Sequence, residues 1–121
     1  MNQFSNNYNL EERTAKLGEN IIEFCQNIKR DIIVNPILSQ LVRSGTSIGA
    51  NYMEANAASS RKDFRNKIFI CKKEAQETKH WLRMLAKCVS NDKKEELKKI
   101  WQEAQELTMI FQKITSSLDK K

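Results

Sequence analysis

Glu77 and His80 stand three residues apart in Glu77-Thr78-Lys79-His80, the spacing that sets two metal ligands on one helix face in di-iron four-helix proteins. Such a centre needs a second Glu-x-x-His pair and two further glutamates from other helices, and His80 is the single histidine among 121 residues. A metal centre within one chain is therefore not expected, no cofactor is implied, and His80 should face solvent beside Trp81. The thiols offer no nucleophile. Cys25 and Cys71 occupy apolar helical positions, where burial raises a thiol pKa, and no sequence feature supplies Cys88 with a base. Three cysteines without metal-type spacing, and no basic and apolar leader at the start, point to reduced thiols in a cytoplasmic protein. Gly45 and Gly49 follow no strand and so form no phosphate loop. With Ser44 and Ala50 they allow a second helix to approach closely. No catalytic residue is expected.

Charge is more informative. The formal net charge is +6, and residues 59–90 hold nine Lys or Arg against three Asp or Glu, while the other segments are nearly balanced. Arg61, Lys62, Arg65, Lys67, Lys72 and Lys73 crowd the first turns of one expected helix. Cations there oppose the helix dipole, so folding alone does not account for them and an RNA or DNA partner does. At about 100° per residue, Arg61, Arg65 and Lys72 project within about 40° of one direction, with Lys62 and Lys73 on an adjoining strip. Such a strip follows phosphates rather than reading bases, with affinity that falls steeply with salt. A solvated basic face is the alternative. Lys79, Arg83 and Lys87 extend the charge but alternate with Glu74 and Glu77.

From Ile32 to Met53 the only charge is Arg43, followed at once by Glu54. Ser39, Gln40, Ser44, Thr46, Ser47 and Asn51 stand where a surface helix would carry ions, so this helix should be buried on more than one side, the second side meeting another subunit. Arg43 and Glu54 are eleven residues apart, about 16 Å along a helix, and cannot bridge each other. Glu74 and Glu77 are candidate partners for Arg43, and the basic start of the next helix for Glu54. The alternative is that they reach solvent.

The elements that carry these residues follow from periodicity. Few glycines and one proline, with abundant Lys, Glu, Ala, Leu and Ile, exclude a sheet of several strands. Leu17, Ile21, Phe24, Cys25, Ile28 and Ile32 mark a first helix over about 10–34, opened by Asn9-x-x-Glu12. Asn35-Pro36 opens a second over 36–58. A third, over 61–89, is capped by Ser60-x-x-Asp63, and its series Phe64, Ile68, Cys71, Ala75, Thr78, Leu82, Leu85 and Val89 repeats every 3.5 residues, which calls for a long partner helix. The fourth, over 92–118, starts at Asp92-x-x-Glu95 and answers with Leu97, Ile100, Ala104, Leu107, Phe111, Ile114 and Leu118. The fold class is all-α, an up-down-up-down antiparallel four-helix bundle in one domain over residues 1–121, with fraying expected at 1–8 and Ser117–Lys121. No apolar run is long enough for a membrane span.

The stretch Gln40–Ala55, with Arg43, Ser47, Ile48, Asn51 and Glu54, resembles the signature helix of bacterial four-helix bundle proteins first described as encoded by 23S rRNA intervening sequences. The segment Lys73–Leu82, with Glu77 and Trp81, is similar to that family's second stretch, and the likeness in length and helix order covers nearly the whole chain. The resemblance implies a bundle that assembles as a ring-like homopentamer without known catalytic activity. Its relatives include the basic accessory protein of diversity-generating retroelements, associated with nucleic acid and a reverse transcriptase. Relatives often place Gly after the glutamate where this chain has Ala55, so its second helix is expected to run on toward Ala58. A non-enzymatic, oligomeric nucleic-acid binder is the leading expectation. A scaffold for a nucleic-acid-bound partner is the second.

Overall fold

A computed structural model describes residues 9–120, which form four helices: α1 (Leu10–Gln26), α2 (Val34–Asn56), α3 (Arg61–Ala86) and α4 (Asn91–Asp119). Each packs on its chain neighbours and α4 closes against α1, so α1 and α3 lie diagonally across the bundle. Cross-helix partners run in opposite directions: Arg43 meets Glu77 while Glu54 meets Lys67, and Arg65, Lys72 and Lys79 meet Asp119, Gln112 and Gln105. The bundle is therefore antiparallel and all-α, as the heptad series require.

Those series form the core. Ile68, Cys71, Ala75, Thr78, Leu82 and Leu85 of α3 are fully enclosed, facing Leu97, Ile100, Ala104, Leu107, Phe111 and Ile114 of α4. A Leu or Ile enclosed in this way contributes about 1.5–3 kcal/mol. The buried hydroxyls are satisfied: Thr78 donates to the Glu74 carbonyl at 2.8 Å and lies 3.0 Å from Ser44 Oγ. Between α1 and α2, Gly18 sits against Gly45 and Thr46, and Gly45 against Ile21, which is the close approach that small residues permit.

The ends differ from expectation more than the faces do. The first helix stops at Gln26, not near 34: the Asn27 side chain donates to the Glu23 carbonyl at 3.0 Å, and its N–H turns onto Phe24. Asp31 then takes the capping role expected of Asn35. Its carboxylate accepts from Ile33 and Val34 N–H at 2.9 and 2.8 Å, opening α2 upstream of Pro36. Ile32, expected in the core, is 89 % exposed as a result. Asn9 adopts a left-handed conformation (φ 45°) and makes no side-chain cap, so the expected capping box at α1 is absent. The Ser60 cap forms, accepting from Asp63 N–H at 3.0 Å.

The second helix ends at Asn56, short of Ala58, as Ala58 N–H closes a tighter turn onto Ala55. Lys87, Cys88 and Val89 likewise leave α3 in a turn onto Met84 and Leu85. Ser90, not Asp92, precedes α4. Ser117 to Asp119 are helical rather than frayed, whereas the expectation for residues 1–8 and Lys121 lies outside the described residues.

Within the chain α2 has one buried face. Its opposite side, with Ser39, Thr46, Ala50 and Met53, is open.

Candidate nucleic-acid interface

The residues of the expected signature converge between α2 and α3. Arg43 pairs with Glu77 by a short charged hydrogen bond and approaches Glu74 Oε1 at 3.5 Å, while its Nε donates to Gln40. Glu77 Oε2 also accepts from Trp81 Nε1 at 3.2 Å. These donors hold the Glu77 carboxyl below its ordinary range, the Arg43 hydrogen bond contributing most. Glu74 Oε1 is enclosed without a hydrogen bond, leaving the Arg43 charge as its compensation. Glu54 finds Lys67 at 2.7 Å, so both expected ion pairs of α2 are made by α3 of the same chain.

The remaining signature residues tie α2 to itself and to α3. Ser47 Oγ donates to the Arg43 carbonyl and Asn51 Nδ2 to the Ser47 carbonyl, while Ile48 is fully buried with its carbonyl toward Cys71. His80 is exposed, its ring edge-on to Trp81 with centroids 4.9 Å apart. Burial pushes the Cys25 and Cys71 thiols up to about 11 and about 12. Among the described residues no three His, Cys, Asp or Glu side chains converge to hold a metal ion, and no helix is long and apolar enough to cross a membrane.

The six expected nucleic-acid ligands divide. Arg61 donates to the Leu118 carbonyl at 2.7 Å, and Arg65 grips Asp119 through two hydrogen bonds of 2.6 and 3.0 Å. The antiparallel hairpin sets the start of α3 beside the end of α4, where the Leu118 carbonyl at the negative end of the helix receives Arg61 and the Asp119 carboxylate receives Arg65. Their placement is thus explained by folding, contrary to the sequence expectation. Lys67 is taken by Glu54 and Lys72 donates to Gln112 at 2.7 Å. Lys62 and Lys73 remain exposed without an ion pair among the described residues.

Those two lysines belong to a longer strip. Lys62, Asn66, Phe69, Lys73, Gln76, His80 and Arg83 of α3, with Lys87 at its C-cap, are all exposed and advance in steps of four and three. The strip is about 37 Å long at 1.5 Å per residue and contains four cations and no acid. Glu74 and Glu77, which alternate with the lysines in sequence, are drawn to the α2 flank by Arg43. Sequence reasoning named all four cations, Lys62 and Lys73 on an adjoining strip and Arg83 and Lys87 as an extension, but did not join them into one acid-free face because Glu74 and Glu77 alternate with them in sequence.

Diagonally opposite, α1 exposes Glu11, Glu12, Glu19 and Glu23. A groove of about 430 Å³ between α1 and α2 is lined by the small residues Ala15, Gly18, Gly49 and Ala50, by Ile22 and Met53, and by Glu11, Glu12 and Glu19 of α1. Arg13, which sequence reasoning did not single out, clamps α1 to α4 through Glu103 at 2.9 and 2.7 Å and Glu106 at 2.9 Å.

The sequence profile of the 23S rRNA-intervening sequence proteins matches residues 6–113. The chain belongs to that family. The fold is also similar to a crystal structure of a protein of unknown function from the S23 ribosomal protein family of Bacteroides thetaiotaomicron. That likeness has a TM-score of 0.75 and 32 % sequence identity, covering 88 % of this chain and 97 % of the other. Among curated proteins none matches. In this member of the 23S rRNA-intervening sequence family, the stretches that carried the resemblance are thus those that join α2 to α3, and the cations without an ion pair among the described residues lie on the outer face of α3.

Proposed function

We propose that this protein is a non-enzymatic, oligomeric four-helix bundle of the cytoplasm that binds RNA or DNA along the outer face of α3. The observation that carries the reading is the acid-free strip from Lys62 to Lys87. Four exposed cations without an ion pair among the described residues are available to phosphates, and their neighbours Arg61, Arg65, Lys67 and Lys72 add positive potential from paired positions. Repetition of the strip around a homopentamer, the assembly that the resemblance implies, would turn several weak contacts into one stable complex.

The α1–α2 groove and the uncharged outer side of α2 support the oligomer, because Ile22 and Met53 are exposed at 40 % and 63 % beside small residues. The same groove favours a second reading, in which the protein is an accessory scaffold for a nucleic-acid-bound enzyme such as a reverse transcriptase. A mobility shift at low salt with the K62A/K73A variant separates the two. Weaker binding supports direct contact; binding by neither form, together with capture of nucleic acid only through a protein partner, supports the scaffold.

A further inference from the structure

Phe69 lies inside the basic strip with 40 % of its surface exposed. It lies outside the hydrophobic core, to which Ile68 and Cys71 contribute at that level of α3. The strip's exposed positions on either side, Lys62, Asn66, Lys73 and Gln76, are all polar, so the ring is not the edge of an apolar patch along this face. Lys72 Nζ lies over one face of the ring, 5.2 Å from its centroid, while it donates to Gln112, so a base stacked on Phe69 would take the other face, opposite a fixed cation.

We propose that Phe69 is a stacking platform for an unpaired base, and hence that the ligand of the α3 strip is single-stranded RNA or DNA rather than a duplex. This rests on the nucleic-acid reading of the strip. A duplex stacks its bases against one another and offers a protein groove edges and phosphates, to which an exposed phenyl ring adds nothing. A single strand carries free π-faces, and aromatic side chains between cations are how such strands are held without sequence readout. Lys62 and Lys73 lie about 10 Å and 6 Å from Phe69 along the axis, on opposite sides, within reach of the phosphates that flank a stacked nucleotide. A docked protein surface would call for apolar neighbours around Phe69, and α3 provides lysines and amides there.

The test is fluorescence anisotropy with a labelled twelve-nucleotide strand and its duplex, using wild type, F69L, F69Y and K62Q/K73Q, with circular dichroism to verify that each is folded. Wild type should prefer the strand. F69L should lose roughly tenfold on the strand and little on the duplex, and F69Y should restore binding. If F69L binds the strand like wild type while K62Q/K73Q weakens it, stacking is overturned and the strip remains. A wild-type preference for the duplex overturns stacking too. Binding of wild type to neither ligand overturns both readings.

Discussion

Arg65 in the first turns of α3 and Asp119 in the last turn of α4 are joined by hydrogen bonds of 2.6 and 3.0 Å. The pair answers a problem the sequence poses, since cations at a helix start work against its dipole. The carbonyl end of the antiparallel neighbour offsets that cost, and Arg61 reaches the same end through Leu118. A basic helix start can thus be a folding device, and the search for a ligand moves to the cations left unpaired.

Removing a paired cation and removing a free one should therefore separate in binding assays. R65A is expected to weaken nucleic-acid affinity less than K73A, measured by anisotropy at matched ionic strength. Equal losses would mean that Asp119 does not occupy Arg65 in solution.

The Arg43–Glu77 pair predicts a pH dependence. Glu77 has a folded-state pKa below its ordinary 4.5, so its contribution is complete above that value and disappears as pH falls through the depressed one. At 38 % side-chain exposure for Glu77, the charge contributes only about 0.5 kcal/mol. In urea titrations E77Q, which keeps an acceptor for Trp81, should trail wild type by that amount at pH 7, and the gap should close as pH falls below 4.5 and through the depressed value. A constant gap across this range would assign the effect to packing.

Gly18 and Gly45 should respond in opposite directions to alanine. A Cβ on Gly18 would meet its nearest neighbours at 3.6 Å, ordinary contact, so G18A should gain about 0.5–1 kcal/mol from helix propensity. On Gly45 it would come within 2.4 Å of Ile21 Cδ1, a fully buried side chain, and G45A should lose about 1 kcal/mol or more. Chemical denaturation of the two variants decides this.

The faces of α1, α3 and α4 were legible because burial in a bundle is periodic, and the α3 and α4 series met as spaced, whereas for the nearly uncharged α2 the sequence marked no single buried face. Arg43 and Glu54 found the partners that an otherwise uncharged helix required. The ends were not legible. Asp31 outcompeted Asn35 because a carboxylate placed before two free N–H groups caps more strongly than proline initiates, and this stranded Ile32 in solvent. The Arg13 clamp joins residues ninety positions apart, and no local pattern announces it.

The outer side of α2 carries the assembly prediction. M53E places a charge on a residue 63 % exposed in the single chain, so the fold should be unaffected within about 0.5 kcal/mol. Light scattering should nonetheless show a smaller particle than wild type. A wild-type protein that is itself a folded monomer at micromolar concentration would remove the proposed interface.

The most direct test of the α3 strip is the salt dependence of binding to a labelled single strand between 50 and 200 mM salt, comparing wild type with K62Q/K73Q/R83Q/K87Q. Each phosphate contact on a single strand contributes about 0.7 to the slope of log affinity against log salt, so loss of four cations should flatten it by up to about 3 and lower affinity at least tenfold at low salt. An unchanged slope and affinity in a folded variant would place the nucleic acid elsewhere on the bundle and contradict the account.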